Sequence, residues 1–315
     1  MIKSYDFLKP LKKIKFLLGV IHFILPYGRY LLPKYYFLGP TISFFFYGSG
    51  IILICDYVTS RIRKFSLFFT IIKNKKNILK YVLVGFSGGL LLEGIAQWIF
   101  KLWFYPFWTN YFYFFVFAFG FSFYFLMITE SYLAIKVLID KKTKGTKSVT
   151  KPFKNENIVY KVLLVLGIVF FLFGIGNLML NYKDLSLEFN INIIKQYKMP
   201  FYDIIMIFFG VWFILEFVEF KLHRTSLIKD VIHEYYNPFL SILISSFLLA
   251  VIIETQNVGV GLWEYFNWPY PEVKFLGIPL FVYLTWPLHY IGFLSLFRVM
   301  DIKLSSSIWK GDEIK

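Results

Sequence analysis

The sequence predicts an all-α protein: a polytopic membrane bundle of seven to eight transmembrane helices, arranged as a parallel tandem repeat. Three observations predict it. Apolar residues make up 58% of the 315 residues and aromatic ones 23%, above the roughly 45–50% apolar content of an ordinary globular chain. Apolar runs long enough to cross a bilayer recur along the whole chain. Basic residues collect in alternate connecting segments. The same composition excludes a disordered protein and disfavours a water-soluble enzyme, because one aqueous core could not hide so much apolar surface.

The runs come in order. The first covers 16–33, FLLGVIHFILPYGRYLLP, and is the weakest, because His22, Pro26 and Arg29 interrupt it. Seven stronger runs cover 38–57, 81–100, 111–138, 160–181, 201–220, 238–255 and 275–297. At about 1.5 Å per residue each of the seven spans roughly 30 Å of hydrocarbon. The basic start is followed by no small-residue cleavage site, so no cleaved signal peptide is expected.

Charge placement decides the count. Segments 1–15, 58–80, 139–161, 221–237 and 298–315 hold 26 of the 34 basic residues, and the loops between them hold 7. That alternation fits the positive-inside rule only if 16–33 also crosses, which gives eight spans in the plasma membrane with both termini cytoplasmic. Seven spans with a basic arm outside is the alternative. Topology and anionic lipid account for the net charge of +15 without a nucleic-acid partner.

Two halves are expected, 1–150 and 151–315, each with about four spans. Gly19 and Gly28 match Gly167 and Gly176 at a spacing of 148. Asp56 and Glu219 lie 163 apart, Glu93 and Glu254 lie 161 apart, and Trp103 and Trp263 lie 160 apart. An even number of spans per half gives both halves the same orientation, the repeat type whose axis runs along the membrane normal.

Seven acids fall inside the runs. Asp56, Asp203 and Glu219 lie near run ends, where headgroups or water are within reach. Glu93, Glu130, Glu216 and Glu254 lie deeper, where a carboxyl must face the bundle interior, be paired, or be protonated. For Glu130 and Glu216 a hydrogen-bonded contact between helices is an equal reading. The repeat sets Glu93 and Glu254 as a pair, expected on one central cavity near the non-cytoplasmic side. A protonated carboxyl there is a natural general acid.

The segment from Glu254 to Tyr290 is the richest. Gly259 and Gly261 permit a tight turn after Glu254. Asn257, Trp263 and Tyr265 follow, with Phe266 and Trp268, and Trp286, His289 and Tyr290 return in the last run. Gly277, Pro279 and Pro287 are expected to interrupt that run. His289 could orient a carboxylate, bind a polar substrate atom, or simply pack. The aromatic residues could form an interfacial belt, or line a site for a polyene and a developing carbocation through stacking and cation–π attraction.

The pattern formed by Glu254, Val258, Gly261 and Tyr265, followed by Leu276 to Val282, Leu284, Trp286 and Tyr290, resembles the carotenoid-biosynthesis membrane family that includes bisanhydrobacterioruberin hydratase. More distantly it resembles the membrane lycopene cyclases. The resemblance covers about 40 residues. It implies action on C=C bonds of a long isoprenoid, by addition of water or ring closure without redox change. The paired acidic signature of the cyclases is absent, since Leu92 precedes Glu93 and Thr255 follows Glu254.

These readings converge on Glu254, Glu93 and His289 as catalytic candidates, and on Trp263, Tyr265, Trp286, Tyr290 and Asn257 as substrate-binding ones. Expected partners are a long-chain isoprenoid or another lipophilic substrate, and membrane lipid. No cofactor or metal is expected. Cys55 is the only cysteine, the four histidines lack ligand spacing, and glycine-rich nucleotide or phosphate loops and HExxH are missing. Intramembrane carboxyls in a repeat suit a transporter equally well, and a non-catalytic membrane protein is a third reading.

Overall fold

The computed structural model describes residues 8–28, 39–143, 152–181 and 201–300. Helix α1 covers Leu8–Ile24 and ends in a 3-10 turn at Leu25–Tyr27, which Pro26 occupies. Helix α2 covers Pro40–Arg63. A short α3, Leu67–Ile72, leads to α4, Lys75–Leu92, which continues as a π-helix over Glu93–Ile99. Strand β1, Trp103–Phe104, precedes α5, Asn110–Thr143. The second half runs α6, Glu156–Asn181; α7, Phe201–His223; a short α8, Leu227–Ile232; and α9, Asn237–Val260. Strand β2, Glu264–Tyr265, and a hairpin of β3, Lys274–Phe275, with β4, Ile278–Pro279, lead to α10, Leu280–Met300.

The protein is thus an all-helical bundle with almost no sheet. Among the described residues, six helical stretches are long and apolar enough to cross a membrane: 40–63, 75–99, 119–143, 156–180, 237–260 and 280–300. Each of the seven strong runs falls on one long helix, with one correction. Residues 275–279 form the β3–β4 hairpin, so Gly277 and Pro279 lie before α10 and only Pro287 interrupts it. Of the weak run, residues 29–33 lie outside the described residues. So do the 29–37 and 182–200 loops, residues 1–7 of the 1–15 segment, the junction at 150–151 and the tail from 301.

Local chemistry sets the helix ends. Proline occupies the first turn of α2 (Pro40) and of α9 (Pro238), where its missing N–H costs nothing. Ser66 and Ser226 cap α3 and α8 by accepting from Phe69 N (3.1 Å) and Lys229 N (3.2 Å). Lys64 and Arg224 leave α2 and α7 in the left-handed region, with φ of 58° and 59°. Gly261, φ 66°, ends α9 in the same way, where a side chain would be strained.

The two halves pack alike. α1 lies on α2 as α6 lies on α7, and α5 contacts α2, α4 and α9 as α10 contacts α7, α9 and α4. Small residues set the outer crossings. A Cβ added to Gly50 would come within 2.5 Å of Phe23 N and 2.8 Å of the Gly19 carbonyl. One added to Gly210 would come within 2.7 Å of Phe171 N and 2.8 Å of the Gly167 carbonyl. Without a hydrophobic drive between helices in lipid, such close backbone approach is what holds them.

Buried polar groups join the helices. Asp56 pairs with Lys15 and accepts from Ser66 Oγ at 2.6 Å. Glu219 pairs with Arg298, and Asp203 accepts from Asn177 Nδ2 at 2.9 Å. All three acids are fully buried in protein, which corrects the expectation that they reach headgroups or water. Glu130 accepts from Phe68 N (3.0 Å) and Glu216 from Ile228 N (3.3 Å), so each holds the free N–H end of a short helix. Gly50 and Gly210 lie 160 apart, as do Ser66 and Ser226, and Asp56 and Glu216. Lys136, inside α5, is neutralised by Asp140 at 2.7 Å and donates to Tyr235 Oη at 3.0 Å.

Candidate functional site

A cavity of about 1280 Å³, its open mouth included, lies between the halves. Residues from the starts of α2 and α7 line it, among them Phe44, Phe45, Ile204 and Ile205. So do Glu93, Trp103 and Tyr105 from the first half and Glu254, Trp263 and Tyr265 from the second. Among the described residues no lysine or arginine lines it.

Two loops close one end. β1 and β2 pair antiparallel, Trp103 with Tyr265 and Phe104 with Glu264. Phe266 N and Trp268 Nε1 both donate to the Leu102 carbonyl, at 2.8 and 2.9 Å. Asn267 Nδ2 donates to the carbonyls of Phe100 and Lys101, at 3.2 Å each. The sequence left open whether Trp268 joins an interfacial belt; it is buried on the cavity wall and fastens the loops.

Each carboxyl sits near the end of a helical stretch, at the end of the cavity that the loops close, and receives a tyrosine from the loop that follows. Tyr105 Oη donates to Glu93 Oε1 at 2.6 Å, and Tyr265 Oη donates to Glu254 Oε1 at 2.6 Å. Glu93 also accepts from Trp103 Nε1 (3.2 Å) on Oε1 and from Tyr113 Oη (2.7 Å) on Oε2. Trp263 Nε1 donates instead to Tyr265 Oη at 2.8 Å. Glu254 Oε2 has no hydrogen-bond partner. The Trp263 and Trp286 side chains approach Glu254 without reaching hydrogen-bond geometry to that oxygen.

The phenols are held as donors. Burial, then the Glu93 charge, pushes Tyr105 well above the ordinary tyrosine range. Burial, then the Glu254 charge, does the same for Tyr265. Tyr105 also stacks on Trp108, with ring centroids 4.3 Å apart and planes at 11°.

Six of the eight residues singled out in the sequence line the cavity: Glu93, Glu254, Trp263, Tyr265, Trp286 and His289. His289 does not orient either carboxyl: its Nδ1 meets Tyr124 Oη at 3.3 Å and its Nε2 has no partner. Asn257 stands behind the wall. It donates to the Trp263 carbonyl (2.8 Å) and accepts from Trp263 N (3.0 Å), so it fixes the loop rather than facing the cavity. Tyr290 is fully buried off the cavity and meets Ser131 Oγ at 2.7 Å.

Tyr105, Tyr113 and Tyr124 escaped the sequence reading, hidden among 23 tyrosines and 40 phenylalanines. The available signal was the Trp-x-Tyr step after each glutamate, Trp103 with Tyr105 and Trp263 with Tyr265, at one offset of 160. Among the described residues no group of three or more histidine, cysteine, aspartate or glutamate side chains is placed to hold a metal ion. No protein-family model matches the chain, and no curated protein or solved structure shows significant similarity to it.

Proposed function

We propose that the chain is an integral membrane enzyme that acts on C=C bonds of a long isoprenoid by acid-assisted hydration or cyclisation. The observation that carries this reading is the shared cavity, in which two glutamates face aromatic walls with no lysine or arginine among the described residues that line it. A carboxyl proton adds to one alkene carbon and leaves a cation on the other. Indole and phenol faces, with the remaining carboxylate, stabilise that cation. In hydration, water attacks the cation and gives its proton to a carboxylate. In cyclisation, a neighbouring double bond attacks, and a proton is lost from carbon to the carboxylate. Neither route needs an oxidant or a reductant. The resemblance around Glu254–Tyr290 supports an isoprenoid as substrate, with Trp263, Tyr265 and Trp286 against it and His289 offering a polar contact.

The same reading places eight spans in the plasma membrane, both termini cytoplasmic, with residues 1–150 and 151–315 as parallel repeats. The charge alternation supports the orientation, and the matched glycine crossings support the repeat. α7 crosses in this arrangement because its acids are buried against α6, α8 and α10.

Expression in a host that makes linear carotenoids, followed by pigment extraction and chromatography, tests the activity. A hydrated or cyclised product is expected. If every tested isoprenoid stays unchanged while reconstituted vesicles show Glu254-dependent uptake of a lipophilic solute, the protein is a transporter instead.

A further inference from the structure

We propose that the two cavity carboxyls have separate tasks, Glu93 as a locked carboxylate and Glu254 as the group that gives and takes the proton, and that Tyr113 is the positioning residue that locks Glu93. The catalytic use of this division rests on the acid–base reading above.

Both oxygens of Glu93 are occupied. Oε1 accepts from Trp103 and Tyr105, and Oε2 accepts from Tyr113. Three donors aimed at one carboxyl favour its charged form and leave no oxygen free to present a proton. The Tyr113 hydroxyl is itself directed, because Trp98 Nε1 donates to it at 2.8 Å. That bond uses a lone pair of Tyr113 and turns its hydrogen toward Glu93.

The second half lacks this lock. Glu254 holds Tyr265 on Oε1, while Oε2 has no partner. Tyr283 is the fourth residue of α10, as Tyr113 is the fourth of α5, yet its hydroxyl has no partner. His289 Nε2, another unpartnered polar atom, lines the same cavity. An unpaired carboxyl oxygen between apolar walls is costly as a bare charge, and it is the oxygen that can carry a proton toward a substrate.

A one-residue difference separates the halves. Glu93 and Glu254 are 161 apart, whereas Trp103 and Trp263 are 160 apart. The first half therefore has one more residue between its glutamate and its tryptophan, and the π-helix over Glu93–Ile99 takes it up. Trp98 lies on that π-turn. The π-helical stretch that takes up the extra residue thus also carries the donor that completes the lock.

The titratable groups around each carboxyl come from several elements. Tyr105, Tyr113 and Tyr124 face Glu93. Tyr265, Tyr283 and Tyr124 face Glu254, and His289 lines the same space.

The test uses dicyclohexylcarbodiimide on the full chain in detergent or nanodiscs. The reagent takes up a carboxyl proton and bonds to the carboxylate oxygen, and the adduct rearranges to a stable acylurea that peptide mass spectrometry locates. Labelling of Glu254 should exceed that of Glu93 by about tenfold or more, the order expected from one charge-assisted hydrogen bond. Tyr113→Phe should bring Glu93 labelling up toward that of Glu254. Trp98→Phe should raise it partway, and Tyr283→Phe should leave the pattern unchanged. Thermal melting checks that each variant is folded, and if Tyr113→Phe fails to fold, Trp98→Phe alone decides. Equal or greater labelling of Glu93 in the wild type, or a folded Tyr113→Phe that leaves Glu93 unlabelled, overturns the proposal. Since no isoprenoid is present, failure here is distinct from failure of the proposed activity.

Discussion

Trp103 and Tyr265, one from each half, stand opposite each other in a two-residue ladder, and their side chains end on different carboxyls. Trp103 donates to Glu93 and Tyr265 to Glu254. The ladder therefore fixes the two acids relative to one another through backbone pairing. A change on either loop is felt at both.

Glu254→Gln should keep the fold and nearly abolish turnover. Glutamine has similar volume and can still accept from Tyr265, but it cannot supply an acidic proton. The expected loss is roughly 10²–10⁴-fold. Glu93→Gln should also be severe, through loss of a fixed negative charge beside the cation. Chromatography of a linear carotenoid reaction, with melting curves for each variant, measures both. Near-normal turnover in folded Glu254→Gln removes it as the proton donor.

High pH should destabilise the closed end of the cavity. Tyr105 and Tyr265 are raised above the unfolded value of about 10. For a raised group, the stabilisation is complete below the unfolded value and is lost as pH rises through the folded one. The melting temperature should thus hold to about pH 10 and fall beyond it. The Tyr105→Phe/Tyr265→Phe double variant should start lower and fall less steeply. An identical alkaline slope would show that these phenols do not couple to folding.

Glycine substitutions should sort by position. Gly50→Ala and Gly210→Ala push a methyl into the backbone of the partnering helix, a clash on the scale of about 1–3 kcal/mol for an overpacked contact. Gly176→Ala meets nothing within 4 Å and should be neutral. Thermal melting in one detergent compares the three. Equal melting temperatures would mean that the close crossings carry no stability.

Topology can be mapped by cysteine accessibility after Cys55 is replaced. Single cysteines at the exposed Lys76 and Glu234 should label from the cytoplasmic side together with the N-terminus, and one at Glu272 from the other side. The buried Lys229 is unsuitable for labelling. Lys76 and the N-terminus labelling from opposite faces would reduce the spans to seven.

The sequence made the helices legible because each apolar run matches a helix's own length and composition. It also made Glu93, Glu254 and His289 legible as cavity residues, because an acid or histidine inside such a run is conspicuous. It concealed what depends on distant partners. Lys15 and Asp56 are 41 residues apart and Arg63 and Asp140 are 77 apart, so periodicity along one helix reports neither ion pair. The asymmetry of the carboxyls was written only as a slip from 161 to 160, which has no meaning until a π-turn is seen to absorb it. Asn257 read as a cavity residue because its spacing from Glu254 is short. The left-handed turn at Gly261 brings Trp263 back over it and puts it behind the wall.

The bond from Trp268 to the Leu102 carbonyl joins residues 166 apart. During synthesis the first half therefore emerges with its β1 edge unpaired, and the cavity stays unfinished until the second half is made. Closure of so long a loop comes late, after the local helices have formed. A chain cut short before Glu254 keeps Glu93 and the residues that donate to it but lacks both the opposing acid and the fastening of the loop that carries Trp103. Assembly of the site thus acts as a check on completion, since no product truncated before Glu254 can hold the finished two-acid cavity.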